Sequence, residues 1–223
     1  MRAQAIVGSV TSGERPSTGK TTLGKGRMEG FSDGIFAIAI TLLVLDIALR
    51  PPGSPTQEFF HAWPSYVAYL VSFLTIGAAW LAHHGLTDEL DRVDPVFLRL
   101  NILFLLAISF LPYPTRLMVE GLEKNADWQR LAAIVYGVTL LGIRLLFTAL
   151  AAYALKGSLR KPTAADPDLD EARKKFLYAI AGYLVAIVMG FLAPEFAILV
   201  YLAVAVFLFV PFRTVVRAIS GRG

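Results

Sequence analysis

The chain has no cysteine, only three histidines and few charged residues. The lack of cysteine excludes disulfides and thiol chemistry. Charged residues make up 17% of the 223 positions and hydrophobic residues 56%, with a mean hydropathy of +0.59. Several uninterrupted apolar stretches predict a polytopic membrane protein rather than a soluble domain. In that class the net charge of +4 reflects topology, so we expect no nucleic-acid partner.

Sequence signals of secretion and of catalysis are also absent. The N-terminal residues carry charge but no apolar h-region followed by a cleavage site, which predicts no signal peptide. Gly13, Gly19, Lys20 and Thr21 resemble a phosphate-binding loop, but five residues separate the glycines and no strand precedes them; the motif requires four. No nucleophile–base pair is found, so we expect neither an enzyme nor a cofactor.

Six apolar segments follow a polar N-terminus, and each is near the ~20 residues that cross a bilayer as a helix. They are residues 29–49, 61–82, 96–118, 130–155, 174–193 and 195–216. The predicted fold class is all-α, with six transmembrane helices per subunit. Residues 1–26 are predicted to be a flexible cytoplasmic tail, 27–216 the membrane domain and 217–223 a cytoplasmic C-terminal tail. Pro112 and Pro114 should kink or loosen the third helix.

The distribution of Lys and Arg predicts the orientation. Six spans place both termini on one side, and sixteen of the 21 cations fall on that side against four on the other. The positive-inside rule then places both termini in the cytoplasm. The remaining cation, Arg144, lies inside the fourth span, where an unpaired charge is costly. A structural ion pair within the subunit is favoured for Arg144, with contact to an anion or a lipid as the alternative.

Polar residues within the first span divide its surface. At about 100° per residue, the residues within roughly 60° of Ile38 share one stripe. These residues are Phe31, Gly34, Thr41, Leu42, Leu45 and Leu49. Asp33 falls about 140° away from Ile38 on the same wheel. The helix therefore combines an apolar stripe, which holds a single hydroxyl at Thr41, with a carboxylate on another side.

Two interpretations of this stripe stay open from the pattern alone. In the first, the stripe faces lipid or a packed core, Thr41 bonds back to its own helix and Asp33 is an N-cap. In the second, several copies of the helix surround an axis, so that Ile38 and Leu45 form hydrophobic rings on either side of a ring of Thr41 hydroxyls. Hydrophobic constrictions gate pores by dewetting. A ring of neutral hydroxyls suits monovalent cations, because divalent cations usually need charged oxygen ligands.

A family resemblance favours the second interpretation. The sequence resembles the opening segment and two later segments of the transmembrane protein 175 family, potassium channels of bacteria, archaea and endolysosomes. The matching residues are Arg27, Phe31, Ser32, Asp33, Ile38 and Thr41–Leu43 in the first segment, Trp80 and His83 in the second, and Asn101–Leu106 with Ser109–Thr115 in the third. The resemblance covers about residues 27–216. The usual potassium filter sequence Thr-Val-Gly-Tyr-Gly is absent.

The resemblance implies a channel domain over residues 27–216 that passes potassium ions down their gradient. It implies a single-repeat subunit of the prokaryotic kind that forms a homotetramer in the lipid bilayer, with the first helix lining the pore. The membrane expected from the resemblance is therefore the plasma membrane of a prokaryote. Ile38 would form the narrowest apolar ring, Leu42 and Leu45 would extend the constriction, and Thr41 would form the selectivity layer. A structural network would comprise Arg27, Phe31, Ser32, Asp33, His83 and Asn101. The resemblance leaves proton permeation open.

Two other classes were weighed. A membrane-embedded metal hydrolase would use His83, His84 and Asp88, but adjacent histidines on a helix point about 100° apart and do not easily bind one ion. We therefore expect no metal beyond permeating potassium, and a structural role for His83 bonded to Asp33 or Asn101. If the partner is Asp33, protonation of His83 would tune opening with pH. A proton-coupled transporter would show inverted repeats with broken helices, and none is evident.

Overall fold

The computed structural model describes residues 24–46, 56, 63–122, 124–156, 159–164 and 169–210. Within these ranges the protein is all-α, which confirms the predicted fold class; the one β-type pairing there is an isolated bridge between Leu90 and Arg160. The helices are α1 (Lys25–Leu43, continued by a 3-10 turn at Val44–Asp46), α2 (Trp63–Asp88), α3 (Pro95–Phe110), α4 (Pro112–Leu122), α5 (Ala126–Lys156), α6 (Leu169–Leu192) and α7 (Pro194–Phe209).

Six helical segments correspond to the six predicted spans, with shifted ends. Helix α1 begins at Lys25, inside the predicted tail, and α2 runs to Asp88, six residues beyond the predicted end of its span. Most of the predicted N-terminal tail and all of the predicted C-terminal tail at 217–223 lie outside the described residues. Pro51 and Pro52, which the sequence places after the first span, also lie outside them.

The third predicted span is broken where proline requires it. Helix α3 ends at Phe110 and α4 begins at Pro112. Pro112 has no N–H to donate to the carbonyl of Ile108, and its ring clashes with that carbonyl in a continuous helix. The N–H of Leu111 bonds to the oxygen of Ile108 instead, at 3.2 Å. The helix is therefore loosened at Leu111, as predicted, although Leu111 keeps helical backbone angles of φ −57° and ψ −34°. Proline occupies the first position of the helix that follows.

The bundle places α1 at its edge. Helix α5 packs against α3, α4 and α6, and α7 packs against α6 and α2. Helix α1 packs against α2 and α3 and leaves its other face uncovered by the described chain.

Length and composition qualify four helical segments of the described chain as candidate membrane spans: Ser65–Asp88, Pro95–Gly121, Ala126–Leu155 and Leu169–Leu192. Helix α7 is apolar but shorter. The outward-facing residues of the bundle are largely apolar, such as Leu106, Leu184 and Phe191. A surface of this kind suits hydrocarbon, while the helices satisfy their backbone groups internally.

The connection between α2 and α3 is held by defined hydrogen bonds. The Asp94 carboxylate caps α3 by accepting the backbone N–H of Phe97 at 2.8 Å, and its other oxygen accepts the Tyr153 hydroxyl at 2.7 Å. Partial desolvation acts to raise the pKa of Asp94, but these hydrogen bonds outweigh it and lower the pKa below its ordinary value. Asp94 therefore fixes the start of α3 against the end of α5.

Close helix contacts depend on small residues in α6. A Cβ atom added at Gly182 would lie 2.6 Å from Val204, and one at Gly190 would lie 2.9 Å from Ala133. These distances are too short for ordinary contacts, so glycine lets α6 approach α7 and α5 closely. Gly182 and Gly190 thus serve packing inside the subunit.

Gly137 in α5 gives a test of this packing. A Cβ there would collide with the hydroxyl of Tyr201 and with Ile187, and that hydroxyl donates to the carbonyl of Ala133 at 2.9 Å. We expect Gly137→Ala to destabilise the protein by about 1–3 kcal/mol through overpacking. The measurement is thermal unfolding in detergent. Gly142→Ala in the same helix is the control, because nothing lies within 4 Å of its Cβ; equal melting temperatures for the two variants would contradict the prediction.

Candidate functional site

Helix α1 has one face that packs into the subunit. Its buried residues recur at intervals of three or four: Met28, Ser32, Phe36, Ala39 and Leu43. This is the spacing of one side of an α-helix, and the face rests on α2 and α3. The orientation of α1 relative to the bundle is set by this face.

The face around Ile38 is uncovered. Ile38 is 60% exposed and Leu45 72% exposed, while Leu42 and Phe31 are 41% and 58% exposed. Thr41 is also exposed among them. No described part of the chain buries the stripe, which argues against the packed-core interpretation. The lipid-facing and pore-lining interpretations stay open.

The Thr41 hydroxyl donates to the carbonyl of Ile38 at 2.9 Å. This back-bond is what the first interpretation of the stripe expects. It uses only the hydroxyl hydrogen, and a hydroxyl oxygen also has lone pairs that accept. The oxygen of Thr41 therefore keeps its capacity to face a cation from the uncovered side of α1.

Asp33 is not an N-cap, because α1 begins eight residues before it and Gly24 occupies the cap position. Its carboxylate accepts a hydrogen bond from Nε1 of Trp80 at 2.9 Å. The indole of Trp80 stacks in turn on the ring of His84, with centroids 5.5 Å apart and planes 12° from parallel. Asp33 thus ties the flank of α1 to α2, beside the uncovered stripe.

A buried hydrogen-bond chain joins the first three helices. Nδ2 of Asn101 donates to Oγ of Ser32 at 3.0 Å, and Ser32 donates to the carbonyl of Met28 at 2.9 Å. On its other side, Oδ1 of Asn101 lies 2.8 Å from Nε2 of His83. With the carbonyl oxygen facing the ring, Nε2 is the nitrogen that carries the hydrogen. Ser32, Asn101 and His83 are all at most 2% exposed.

Aromatic rings enclose His83. The ring of Phe104 stacks on it at 5.8 Å and 12°, and the ring of Phe36 lies 5.7 Å away. The hydrogen-bond partner of His83 is Asn101, while Asp33 pairs with Trp80. The contact on which the pH-tuning hypothesis depended is therefore not formed.

The other predicted site residues lie at the edges of this region. Arg27 is exposed, and its side chain makes no hydrogen bond or ion pair with the rest of the described chain. Arg27 and Phe31 line a shallow pocket of about 230 Å³, which Asn101 also lines. His84 and Asp88 form an exposed pair at 3.4 Å. Among the residues that the structure describes, no group of three metal-ligating side chains occurs.

Sequence reasoning missed a second polar cluster. The Ser72 hydroxyl lies 2.8 Å from both the Thr115 hydroxyl and the Tyr136 hydroxyl, all buried between α2, α4 and α5. These residues are 43 and 64 positions apart in the chain, so no local spacing reveals the cluster.

The expected ion pair of Arg144 is also not found: Nε of Arg144 is buried and has no hydrogen-bond partner within the described ranges. No acidic side chain lines the cavity into which Arg144 opens.

An apolar helical bundle with a buried polar network and one uncovered helix face defines a polytopic membrane protein. Residues 27–112 match the family model described as "Endosomal/lysosomal potassium channel TMEM175". A protein of Streptomyces collinus named a potassium channel is 38% identical over 173 residues, which cover 75% of this chain and 83% of that protein. The chain belongs to the TMEM175 family.

Two further comparisons extend this result. A Chamaesiphon minutus protein named a potassium channel is 35% identical over 190 residues, covering 82% of this chain and 92% of the relative. The crystal structure of a lysosomal potassium-selective channel TMEM175 homolog from Chamaesiphon minutus superposes with a TM-score of 0.70 at 33% identity, over 82% of this chain and 95% of the other. The recognised family and the prediction that the protein is not an enzyme are confirmed, because these relatives are named as channels.

Asn101 is the residue that joins both ends of the buried chain, so its removal tests the network. We expect Asn101→Leu to lower stability by about 1–3 kcal/mol, because it leaves polar atoms of Ser32 and His83 buried without partners. Thermal unfolding in detergent measures this. Ser109→Ala on the same helix is the control, since its exposed hydroxyl bonds only to Leu106. A variant at Asn101 that melts with the wild type would show that the network is not needed.

Proposed function

We propose that this protein is a potassium channel in which the α1 helices of several copies surround the ion path. The observation that carries the proposal is the uncovered α1 stripe of Ile38, Thr41, Leu42 and Leu45, on a helix anchored elsewhere by buried hydrogen bonds. The bacterial relatives named potassium channels are matched over most of their length, which supports the same function.

The stripe provides the two elements that such a pore needs. Thr41 is three positions after Ile38, and Leu45 is four positions after Thr41, so their rings would lie about 4.5 and 6 Å apart along the axis. Apolar rings at Ile38 and Leu45 would resist wetting and act as a gate. Between them, Thr41 oxygens would replace part of the hydration shell of a potassium ion.

Two hydrogen bonds between α1 and its neighbouring helices determine the direction in which the stripe faces. Ser32 contacts Asn101 on α3, and Asp33 contacts Trp80 on α2. A rotation of α1 would break both contacts, and the buried contact between Ser32 and Asn101 has no water to replace it in a dry bundle. The network therefore supports a fixed pore radius, and its members act as positioning residues outside the ion path.

The assembly that we propose is a homotetramer in the plasma membrane of a prokaryote, with both termini cytoplasmic and potassium moving passively. No cofactor is part of the proposal, and potassium enters as the permeant ion. A relative from Gallus gallus, 40% identical over 114 residues that make up 23% of its length, is named an endosomal/lysosomal proton channel. Proton permeation through the same path stays an expectation.

Cation flux into liposomes containing the purified protein tests the function. We expect passive flux that favours potassium over sodium and needs no counter-substrate. Potassium flux that depends on a proton gradient would contradict the channel and indicate a proton-coupled transporter. Equal potassium and sodium flux would contradict the proposed selectivity for potassium.

The gate is tested at Ile38. We expect Ile38→Asn to raise resting potassium flux several-fold, because a polar ring lowers the cost of wetting the constriction. Ile102→Asn is the matched control: the same residue type on α3, 57% exposed against 60% for Ile38. Unchanged or lower flux in well-folded Ile38→Asn oligomers would contradict the Ile38 gate.

The selectivity layer is tested at Thr41. We expect Thr41→Ala to reduce the preference for potassium over sodium, whereas Thr41→Ser, which keeps the hydroxyl, should retain most of it. Reversal potentials under bi-ionic conditions measure the change. Thr139→Ala on α5 is the control, because its hydroxyl also bonds back to its own helix at 2.9 Å. If Thr41→Ala stays fully selective, the hydroxyl ring is not the filter.

A further inference from the structure

A cavity of about 190 Å³ lies apart from the pore stripe, the uncovered residues Ile38, Thr41, Leu42 and Leu45 of α1. Residues of α2, α5, α6 and α7 line it, and no residue of α1 does. Its polar lining includes Thr75, Arg144, Lys175 and Tyr183, and its lining residues include no aspartate or glutamate. The cavity is therefore independent of the proposed ion path, and its charge is positive.

Arg144 supplies a charge for which the described residues of the subunit offer no ion-pair partner. Its Nε atom is buried and has no hydrogen-bond partner in the described part of the chain. A cation within a membrane span is costly and normally pairs with an anion or faces water. The guanidinium thus presents donors to the cavity, and an anion is the chemistry that would satisfy them.

Thr75 is a second unsatisfied donor in the same cavity. The other five threonines of the seven helices each donate to a carbonyl of their own helix: Thr41, Thr87, Thr115, Thr139 and Thr148. Thr75 is only 4% exposed, and its hydroxyl is buried without a partner in the residues described. A buried hydroxyl that could bond to its own helix and does not is unusual, and it points to a ligand.

The remaining lining gives the cavity its shape. Ala78, Ala79 and Ala82 of α2 leave space beside Thr75 and Arg144.

Lys175 is 60% exposed and is held by Glu171 at 3.1 Å, so it contributes little uncompensated charge. Phe147 and Leu140 provide apolar walls. The site therefore combines the cation of Arg144, the neutral hydroxyls of Thr75 and Tyr183 and an apolar surround.

We propose that this cavity binds a phosphate oxyanion, with Arg144 as the charged donor and Thr75 as the neutral donor. The planar guanidinium matches two phosphate oxygens at once, and the threonine hydroxyl donates to a third. The phosphate can belong to the headgroup of an anionic phospholipid or be free inorganic phosphate. The apolar walls, on helices that qualify as membrane spans, favour the lipid.

Lipid titration of the detergent-purified oligomer, followed by native mass spectrometry, tests the proposal. The titrants are phosphatidylglycerol, which is anionic, and phosphatidylcholine, which is zwitterionic. In a separate arm, inorganic phosphate is added and thermal unfolding is measured. We expect the wild type to bind phosphatidylglycerol about tenfold more tightly than phosphatidylcholine, which corresponds to a difference of about 1.4 kcal/mol.

Variants at the two donors assign the binding to this cavity. Arg144→Gln should abolish the preference, Arg144→Lys should keep part of it, and Thr75→Val should weaken phosphatidylglycerol binding several-fold. Thr139→Val is the matched control for Thr75→Val, and Arg130→Gln controls for the loss of a cation, because Arg130 is paired with Asp127 at the other end of α5. Should Arg144→Gln fail to fold, Thr75→Val and Arg144→Lys decide the question.

The outcomes separate the sources of phosphate. Stabilisation by inorganic phosphate that Thr75→Val removes would assign the site to the free anion. A response to phosphatidylglycerol alone would assign it to a lipid headgroup. Equal binding of both lipids by wild type and variants, with no effect of phosphate, would overturn the proposal and leave a water-filled cavity.

Discussion

The hydrogen-bond chain from Ser32 through Asn101 to His83 is the interaction on which the arrangement of the first three helices depends. Each member lies on a different helix, and all three are almost completely buried. Water cannot replace these contacts within an apolar bundle, so any movement of α1 leaves polar groups without partners. The chain thereby fixes the rotation of α1 and leaves Ile38 on the uncovered side. A face that no described part of the subunit covers is available to other copies.

The bilayer made much of the fold predictable. A helix that crosses the hydrocarbon core of a bilayer requires about 20 apolar residues, so the six segments and the all-α class can be predicted from the sequence. The break at Pro112 follows from the missing N–H of proline. The wheel around Ile38 groups residues that the structure leaves exposed together, because helical periodicity is local, but it left open which face of α1 packs into the subunit.

Long-range partners could not be predicted in the same way. Trp80 is 47 positions from Asp33, and the Ser72 cluster joins three helices. Arg144 was expected to pair within the subunit, since a buried cation requires an anion, yet the helices bring no carboxylate to it. The sequence indicates that a polar side chain within a span requires a hydrogen-bond or ion-pair partner. Which residue is that partner depends on how the helices pack.

Helix α2 connects the two polar regions of the bundle. Trp80 and His83 face α1 and α3 through their hydrogen bonds, while Thr75 and Ala79 line the cavity behind. Thr75 and Ala79 share one helical face, and Trp80 and His83 lie on the adjoining one, roughly 100° further around the axis. On the side that faces α1 and α3, Trp80 and His83 have hydrogen-bond partners within the subunit. On the side that lines the cavity, the Thr75 hydroxyl has no hydrogen-bond partner among the described residues. Thr75 and the residues that position α1 belong to one helix, so an oxyanion held between Arg144 on α5 and Thr75 would act, through Thr75, on the helix that positions α1.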